Sequence, residues 1–396
     1  MSRRYASLTL LPVALTVLGA VLAGPVRAAD EGLLTRSYEH SLALVAGDTL
    51  RLANLAGALE LVPGTGREVV VEATLHGRAG TAAQTRSLLD AMRWVESRDR
   101  KGRREWALSY PVDRYRSFSY PVKGGGGWWD DSRTTFEYLG EKVTIYSRPR
   151  GDAPVLYADL RILLPADAAV VVRNGAGSVR GGRLQGDLGV DTGSGDVEIE
   201  AFRGRLNVDT GSGDVDLGEV HAECTVDTGS GDVRIAALEG DGSVDTGSGN
   251  VEVGRIVAAA FGVDTGSGDV RLGGGQVATL SVDTGSGDIR VEGVEVEVFR
   301  GDTGSGDVVL RSSLETTRDV VVDTGSGSVR ILGGTNASFD IEADQGSGDL
   351  VVGYTDAVYK KHGREVYGAR RGDGKTKIRV ETGSGDCVIE PRPKEN

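Results

Sequence analysis

The amino-acid sequence predicts an all-β chain wound as a single-stranded parallel β-solenoid, with about 18–19 residues and two short strands per coil. The first observation behind this is a repeat. The core Asp-Thr-Gly-Ser-Gly begins at Asp191, Asp209, Asp227, Asp245, Asp264, Asp283, Asp302 and Asp323, in steps of 18, 18, 18, 19, 19, 19 and 21 residues. Weaker copies extend the series: Asn174-Gly-Ala-Gly-Ser-Val before it, then Gln345-Gly-Ser-Gly-Asp and Glu381-Thr-Gly-Ser-Gly-Asp after it. A fixed period of about 20 residues marks a stack of units, each burying its apolar face only against its neighbours.

The second observation is the alternation inside one unit. Val197-Glu198-Ile199 and Leu206-Asn207-Val208 each alternate apolar and polar residues, as half-buried strands do. Arg203-Gly204 offers one corner, and Thr210-Gly211-Ser212-Gly213-Asp214 offers the other, with glycines free to take positive φ. The inward pairs recur as Val215/Leu217, Val233/Ile235, Val251/Val253 and onward to Leu350/Val352. Two strands and two corners imply two parallel sheets facing across a thin aliphatic core, rising about 4.8 Å per coil.

Taken in order, residues 1–28 read as a secretory signal peptide. Arg3 and Arg4 precede an apolar stretch from Leu8 to Leu22, and Val26-Arg27-Ala28 forms the cleavage site. No second apolar run reaches the roughly 18 residues of a membrane helix, so a periplasmic or extracellular, cell-surface location is expected. The solenoid is assigned to 29–390. Its segment 29–165 holds irregular coils, already solenoid-like over 35–80, with a helix over 82–98 from Leu88, Leu89, Met92 and Val95. An aromatic insertion covers 106–142, and coils resume at Val143-Thr144-Ile145-Tyr146. Regular coils fill 166–352. A basic hairpin carrying Lys360, Lys361, His362, Arg364, Arg370 and Arg371 occupies 353–375, and the final coil 376–390. In the tail 391–396, Pro391 and Pro393 stop further strand pairing.

A net charge of −13 disfavours nucleic acid, whose phosphates need a basic face. Cys224 falls in the Leu206 column and Cys387 in the Val197 column. About seven coils separate them, roughly 35 Å, so two buried free thiols are expected.

Asp-Thr-Gly-Ser is also the signature of aspartic proteases, which bring two such aspartates to one point to share a proton. Aspartates on a ladder, about 4.8 Å apart, do not converge that way. A second column runs through Asp196, Asp214, Asp232, Asp269, Asp288, Asp307, Asp349 and Asp386, with Asn250 and Ser328 substituting. Asp, Asn and Ser all bond nearby backbone N–H groups, so the column reads as corner caps, with a calcium-stabilised β-roll as an alternative. A polysaccharide-active parallel β-helix enzyme is the other alternative. It needs charged departures from the repeat gathered on one groove; the regular coils show none, and His40, His76, His221 and His362 are scattered. No catalytic, metal or cofactor residues are assigned. Arg371-Gly372-Asp373 matches an integrin-binding tripeptide, but its Gly-rich surroundings read as a turn.

The strongest candidate site is the aromatic insertion. Residues 106–146 hold 10 of the chain's 21 aromatic residues, so whatever they do is local. Tyr115, Phe118, Tyr120, Trp128 and Trp129, beside Arg114, Arg116 and Asp130-Asp131, fit a glycan or protein contact. The competing reading is a flap folded back over the first coils.

The opening Gly47-Asp48-Thr49-Leu50-Arg51-Leu52-Ala53-Asn54-Leu55-Ala56-Gly57, the Leu164-Pro165 step and the Gly-Ser-Gly-Asp-Val/Ile coils resemble a known family. They resemble bacterial exported putative-adhesin β-strand-repeat proteins, also called toastrack solenoids, over roughly residues 40–390. The resemblance implies a β-solenoid linked to surface adhesion or envelope-stress assemblies, and carries no catalytic residues. The expected function is a non-enzymatic envelope scaffold or adhesin-like binding protein. Its expected partner is a cell-envelope protein or glycan.

Overall fold

The computed structural model of the chain describes residues 22–23, 27–28, 32–44, 47–99, 101–121 and 133–393. Its middle is the predicted parallel solenoid. One coil shows the logic: the strand Val197–Thr210 bends at Gly204, where φ is 122°. Val197, Ile199, Phe202, Leu206 and Val208 point inward and are buried, while Glu198, Arg203, Arg205, Asn207 and Asp209 face out. The strand pairs in parallel with its neighbours on both sides, from Val179↔Val197↔Val215 through Thr192↔Thr210↔Thr228.

Stacking turns each inward position into a column. Val197, Val215, Val233, Val251, Val270, Ile289, Val308 and Val329 form one. Leu206, Cys224, Gly242, Phe261, Leu280, Phe299 and Val320 form another, on the facing sheet. Phe202, Val220, Leu238 and Ile256 form a third, at the bend between the two strands, which the alternation rule did not reveal. Burying each such side chain contributes about 1.5–3 kcal/mol, repeated coil after coil. Cys224 and Cys387 are both buried and unbridged, as expected, and burial pushes each thiol up to about 12.

The corner glycines answer to a different constraint from the one expected. Positive φ holds at Gly195 and Gly213, at 137° and 154°. Further along, the need is close approach between coils: a Cβ on Gly249 would lie 1.7 Å from the Gly231 carbonyl oxygen, and one on Gly247 2.4 Å from that of Gly229. Backbone stacked this tightly leaves no room for a side chain.

The threonine of the motif is buried and does two jobs. Thr246 Oγ1 donates to Gly231 O at 3.1 Å and accepts from Gly249 N–H at 3.0 Å. Thr265, Thr284, Thr303, Thr324 and Thr382 repeat the pattern. The second aspartate column caps the corners. Asp214 Oδ1 accepts from Asp232 N–H at 2.9 Å and Asp232 Oδ1 from Asn250 N–H at 2.8 Å. Asn250 Oδ1 then accepts from Asp269 N–H at 3.0 Å, so an amide does the same work without charge.

Both ends depart from the plain winding. Of the stretch 35–80, only 50–64 forms a coil: Leu50–Ala56 and Leu59–Gly64 pair in parallel with 170–176 and 160–165. Leu34–Ala43 and Glu68–Arg78 instead pair antiparallel with each other, and the latter pairs antiparallel with 155–163. The helix is shorter than expected, Ala82–Ala91, opened by a Thr81–Gln84 capping box and closed where Met92 turns extended. Leu88, Leu89 and Met92 are buried beneath it as expected, but Val95 lies on the strand Trp94–Arg98, paired antiparallel with Arg104–Leu108. Aromatic and β-branched residues favour the strand there. Val143–Tyr146 likewise joins an antiparallel hairpin with 133–138, rather than resuming the coils directly.

At the other end the last coil in sequence is not last in space. Thr376–Thr382 and Cys387–Pro391 insert between the coil of 319–333 and that of 339–352. The hairpin Val358–His362 and Glu365–Arg371 then covers the edge of Phe339–Asp344 in antiparallel fashion.

Candidate functional site

The side chains that break the repeat collect at the two ends of the rod. At the N-terminal end the aromatic insertion closes the core. Tyr110, Phe118 and Tyr138 are buried, with Tyr110 edge-on to Phe118 at 5.8 Å and to Tyr138 at 5.9 Å. These three act as the folded-back flap. The corner threonine is replaced at this end by two buried asparagines. Asn174 Nδ2 donates to Gly57 O at 2.8 Å, and Asn54 Nδ2 to Asn174 Oδ1 at 3.2 Å. Tyr110 Oη then donates to Asn54 Oδ1 at 3.0 Å, so the insertion ends the polar ladder with a phenol.

The predicted contact residues separate by depth. Phe118 is 0% exposed and works as a base for Tyr115, whose half-buried ring lies 6.2 Å away. Tyr120, also half-buried, sits 5.0 Å from Tyr157, which stacks on His76 at 4.5 Å. Burial pushes the Tyr120 phenol up to about 12, with Asp159 and Tyr157 adding to it. Trp128 and Trp129 lie outside the described residues.

Beside the insertion a groove of about 540 Å³ opens onto the outer face of the first coils. Lys101, Phe136, Arg173, Asp191, Asn207 and Asp209 line it. Arg173 occupies the register of Asp191 and Asp209, so it heads the outer aspartate ladder with a cation. Its Nε lies 3.1 Å from Asp191 Oδ2 and its Nη1 3.1 Å from Glu105 Oε2, and the Glu105 side chain is only 5% exposed. Burial works against the guanidinium charge, but Asp191 and Glu105 more than offset it and hold its pKa above the ordinary value. Burial raises the Asp209 carboxyl, and Asp191 and Asp227 raise it further. Gly175 makes room for the wall: a Cβ there would sit 1.7 Å from Phe136 Cζ. Sequence reasoning missed this groove, although Arg173 immediately before the weak copy at Asn174 was a visible signal.

The C-terminal end carries the basic hairpin. Lys360 is committed to Asp340 and to Glu342, at 2.5 and 2.9 Å, while Val358, Tyr359 and Tyr367 are 71%, 43% and 42% exposed. Arg371-Gly372-Asp373 is used locally, as turn chemistry predicts. Gly372 sits at φ 65°, Arg371 Nε meets Asp356 Oδ1 at 2.6 Å, and Asp373 accepts from the Ser338 hydroxyl. Among the described residues no three His, Cys, Asp or Glu side chains converge as a metal ion requires. No helix among them is long and apolar enough to cross a membrane.

Parallel coils, ladder-bonded corners and off-pattern caps define an all-β solenoid repeat protein. The Toastrack DUF4097 family model matches residues 173–242 and 222–390, more than half the chain. The chain belongs to the toastrack family. No curated protein matches it. Among solved structures, a putative adhesin from Bacteroides fragilis is 11% identical, with 91% of this chain and 97% of that one covered and a TM-score of 0.28. A putative adhesin from Parabacteroides distasonis is 9% identical, over 89% and 96%, with a TM-score of 0.36. A putative lipid binding protein from the same species is 10% identical, over 90% and 97%, with a TM-score of 0.34. At these identities and scores the likenesses carry no weight for function.

Proposed function

We propose that the protein is an exported, non-enzymatic envelope scaffold of adhesin type, binding a cell-envelope protein or glycan through its irregular ends. One observation supports this most. In the middle coils the threonines and corner aspartates are occupied by neighbouring coils, whereas half-exposed aromatics gather at the ends. Tyr115 and Tyr120, with Trp128 and Trp129, form the proposed contact surface, and Phe118 supports it from beneath. Rigid aromatic side chains give large contact area at low entropic cost, which suits such a surface.

The test is retention of a partner from an envelope extract on immobilised protein. Trp128→Ala with Trp129→Ala is expected to abolish retention while leaving the melting temperature unchanged. Retention equal to wild type would reject this surface.

A further inference from the structure

The groove beside the insertion has a chemistry of its own, independent of Trp128 and Trp129. Its cations are largely neutralised in place: Arg173 is held by Asp191 and Glu105, and Arg103 by Asp99 at 2.5 Å. A polyanion therefore meets Lys101 beside arginines already paired, and the outer aspartate ladder running away from the groove repels it. The lining mixes polar and apolar groups, with Asp191, Asn207 and Asp209 beside Gly189, Gly193, Val171 and Val190. A fixed guanidinium at the head disfavours a compact cation at that point.

What remains is a site where donors and acceptors stand next to each other against one aromatic wall. Lys101 donates, Asp191 and Asp209 accept, and Asn207 does both. Phe136 supplies the wall. Vicinal hydroxyls each donate and accept, and the C–H face of a sugar ring packs against an aromatic side chain. Few other ligand classes use all of these groups together.

The geometry points to a saccharide-binding site for a neutral glycan, formed by Lys101, Phe136, Arg173, Asp191, Asn207 and Asp209. A volume of about 540 Å³ falls within the usual range for small-ligand sites. Arg173 acts as a positioning residue in this assignment: paired with the buried Glu105 carboxylate, it also pairs with Asp191 in the groove lining. The assignment deepens the envelope-binding reading by naming a ligand class for one end of the rod.

The test is an array of immobilised neutral, amino-bearing and acidic glycans probed with the chain lacking residues 1–28, followed by calorimetry on the strongest neutral ligand. Neutral glycans are expected to give the signal. Asp209→Ala and Lys101→Ala, both exposed and outside the core, are expected to weaken it at least tenfold with unchanged melting temperature. Glu105→Gln is expected to weaken it less, and Arg173→Lys to leave it impaired. Silence on all glycans, signal only on acidic ones, or undiminished affinity in Asp209→Ala and Lys101→Ala would each overturn the assignment. If these two variants bind glycan normally while the double tryptophan variant loses envelope retention, the groove assignment falls and the broader reading stands.

Discussion

The middle of the rod and its ends are built from the same kinds of residue under opposite rules. In the middle, every coil meets a near copy of itself, so one solution to backbone bonding, corner capping and core filling is reused with little change. Thr246 and Asp232 have counterparts above and below. At the ends a coil meets no copy, and each satisfied group needs its own device: Asn54 and Asn174 for threonine, Tyr110 as a stop, Arg173 as a counter-charge. Repetition makes the middle a support. Singular solutions make the ends chemically unlike the middle.

The comparison can be broken most forcefully at the corner glycines. Gly249→Ala drives a Cβ to 1.7 Å from the Gly231 oxygen and is expected to cost about 3–5 kcal/mol, measured by urea unfolding. Gly262→Ala, where nothing lies within 4 Å, is the control and should stay within about 0.5 kcal/mol of wild type. Equal costs would show that close coil contact is not what selects these glycines.

Next in size is the buried hydroxyl. Thr246→Val keeps the shape but leaves Gly249 N–H and Gly231 O without a partner, at an expected cost of about 1–3 kcal/mol. At the end, Tyr110→Phe removes the bond to Asn54 and is expected to cost about 1 kcal/mol. If the phenol terminates the ladder, early hydrogen exchange should appear at the first coils and not in the middle.

The smallest effect concerns charge. Burial raises the Asp245 carboxyl, and Asp227 and Asp264 raise it further. Its folded form therefore holds its proton more tightly than the unfolded form. That contribution to stability is full below the ordinary carboxylate range and is lost as pH rises through the raised value. Asp269 is the opposite: the Asp288 backbone N–H, with Arg271 and Arg290 helping against burial, lowers it. Its contribution is present above the ordinary carboxylate range and fades as pH falls through the lowered value. Asp245→Asn should thus be neutral or stabilising by up to about 0.5 kcal/mol at pH 7, with the gain shrinking in acid. Asp269→Ala should cost stability at pH 7 and less in acid. Unfolding curves at pH 3 and pH 7 check both signs.

The solenoid was legible because period and alternation are local and repeated eight times with little change. The corner-cap role of Asp232 and the isolation of the two cysteines followed from the same register. Other features required partners remote in sequence. The inward column of Phe202 and Val220 hides at the bend, where alternation breaks phase. The groove needs Arg173 to meet Glu105, 68 residues earlier. The order of the last coils could not be read at all. Gln345-Gly-Ser-Gly-Asp and Glu381-Thr-Gly-Ser-Gly-Asp carry nearly the same signature, and either could follow the coil of Asp323.

That exchanged order has a mechanical meaning. In a simply wound rod, tension on the C-terminus would lift the outermost coil and peel the rest one ladder at a time. Here the terminal segment is a wedge gripped by ladders on both sides, Val329↔Cys387↔Leu350 on one sheet and Val320↔Ile378↔Ile341 on the other. Pulling it loads several strand interfaces together, so resistance is shared from the first moment of strain. The rod is stitched shut at the end where a plain coil would begin to unravel.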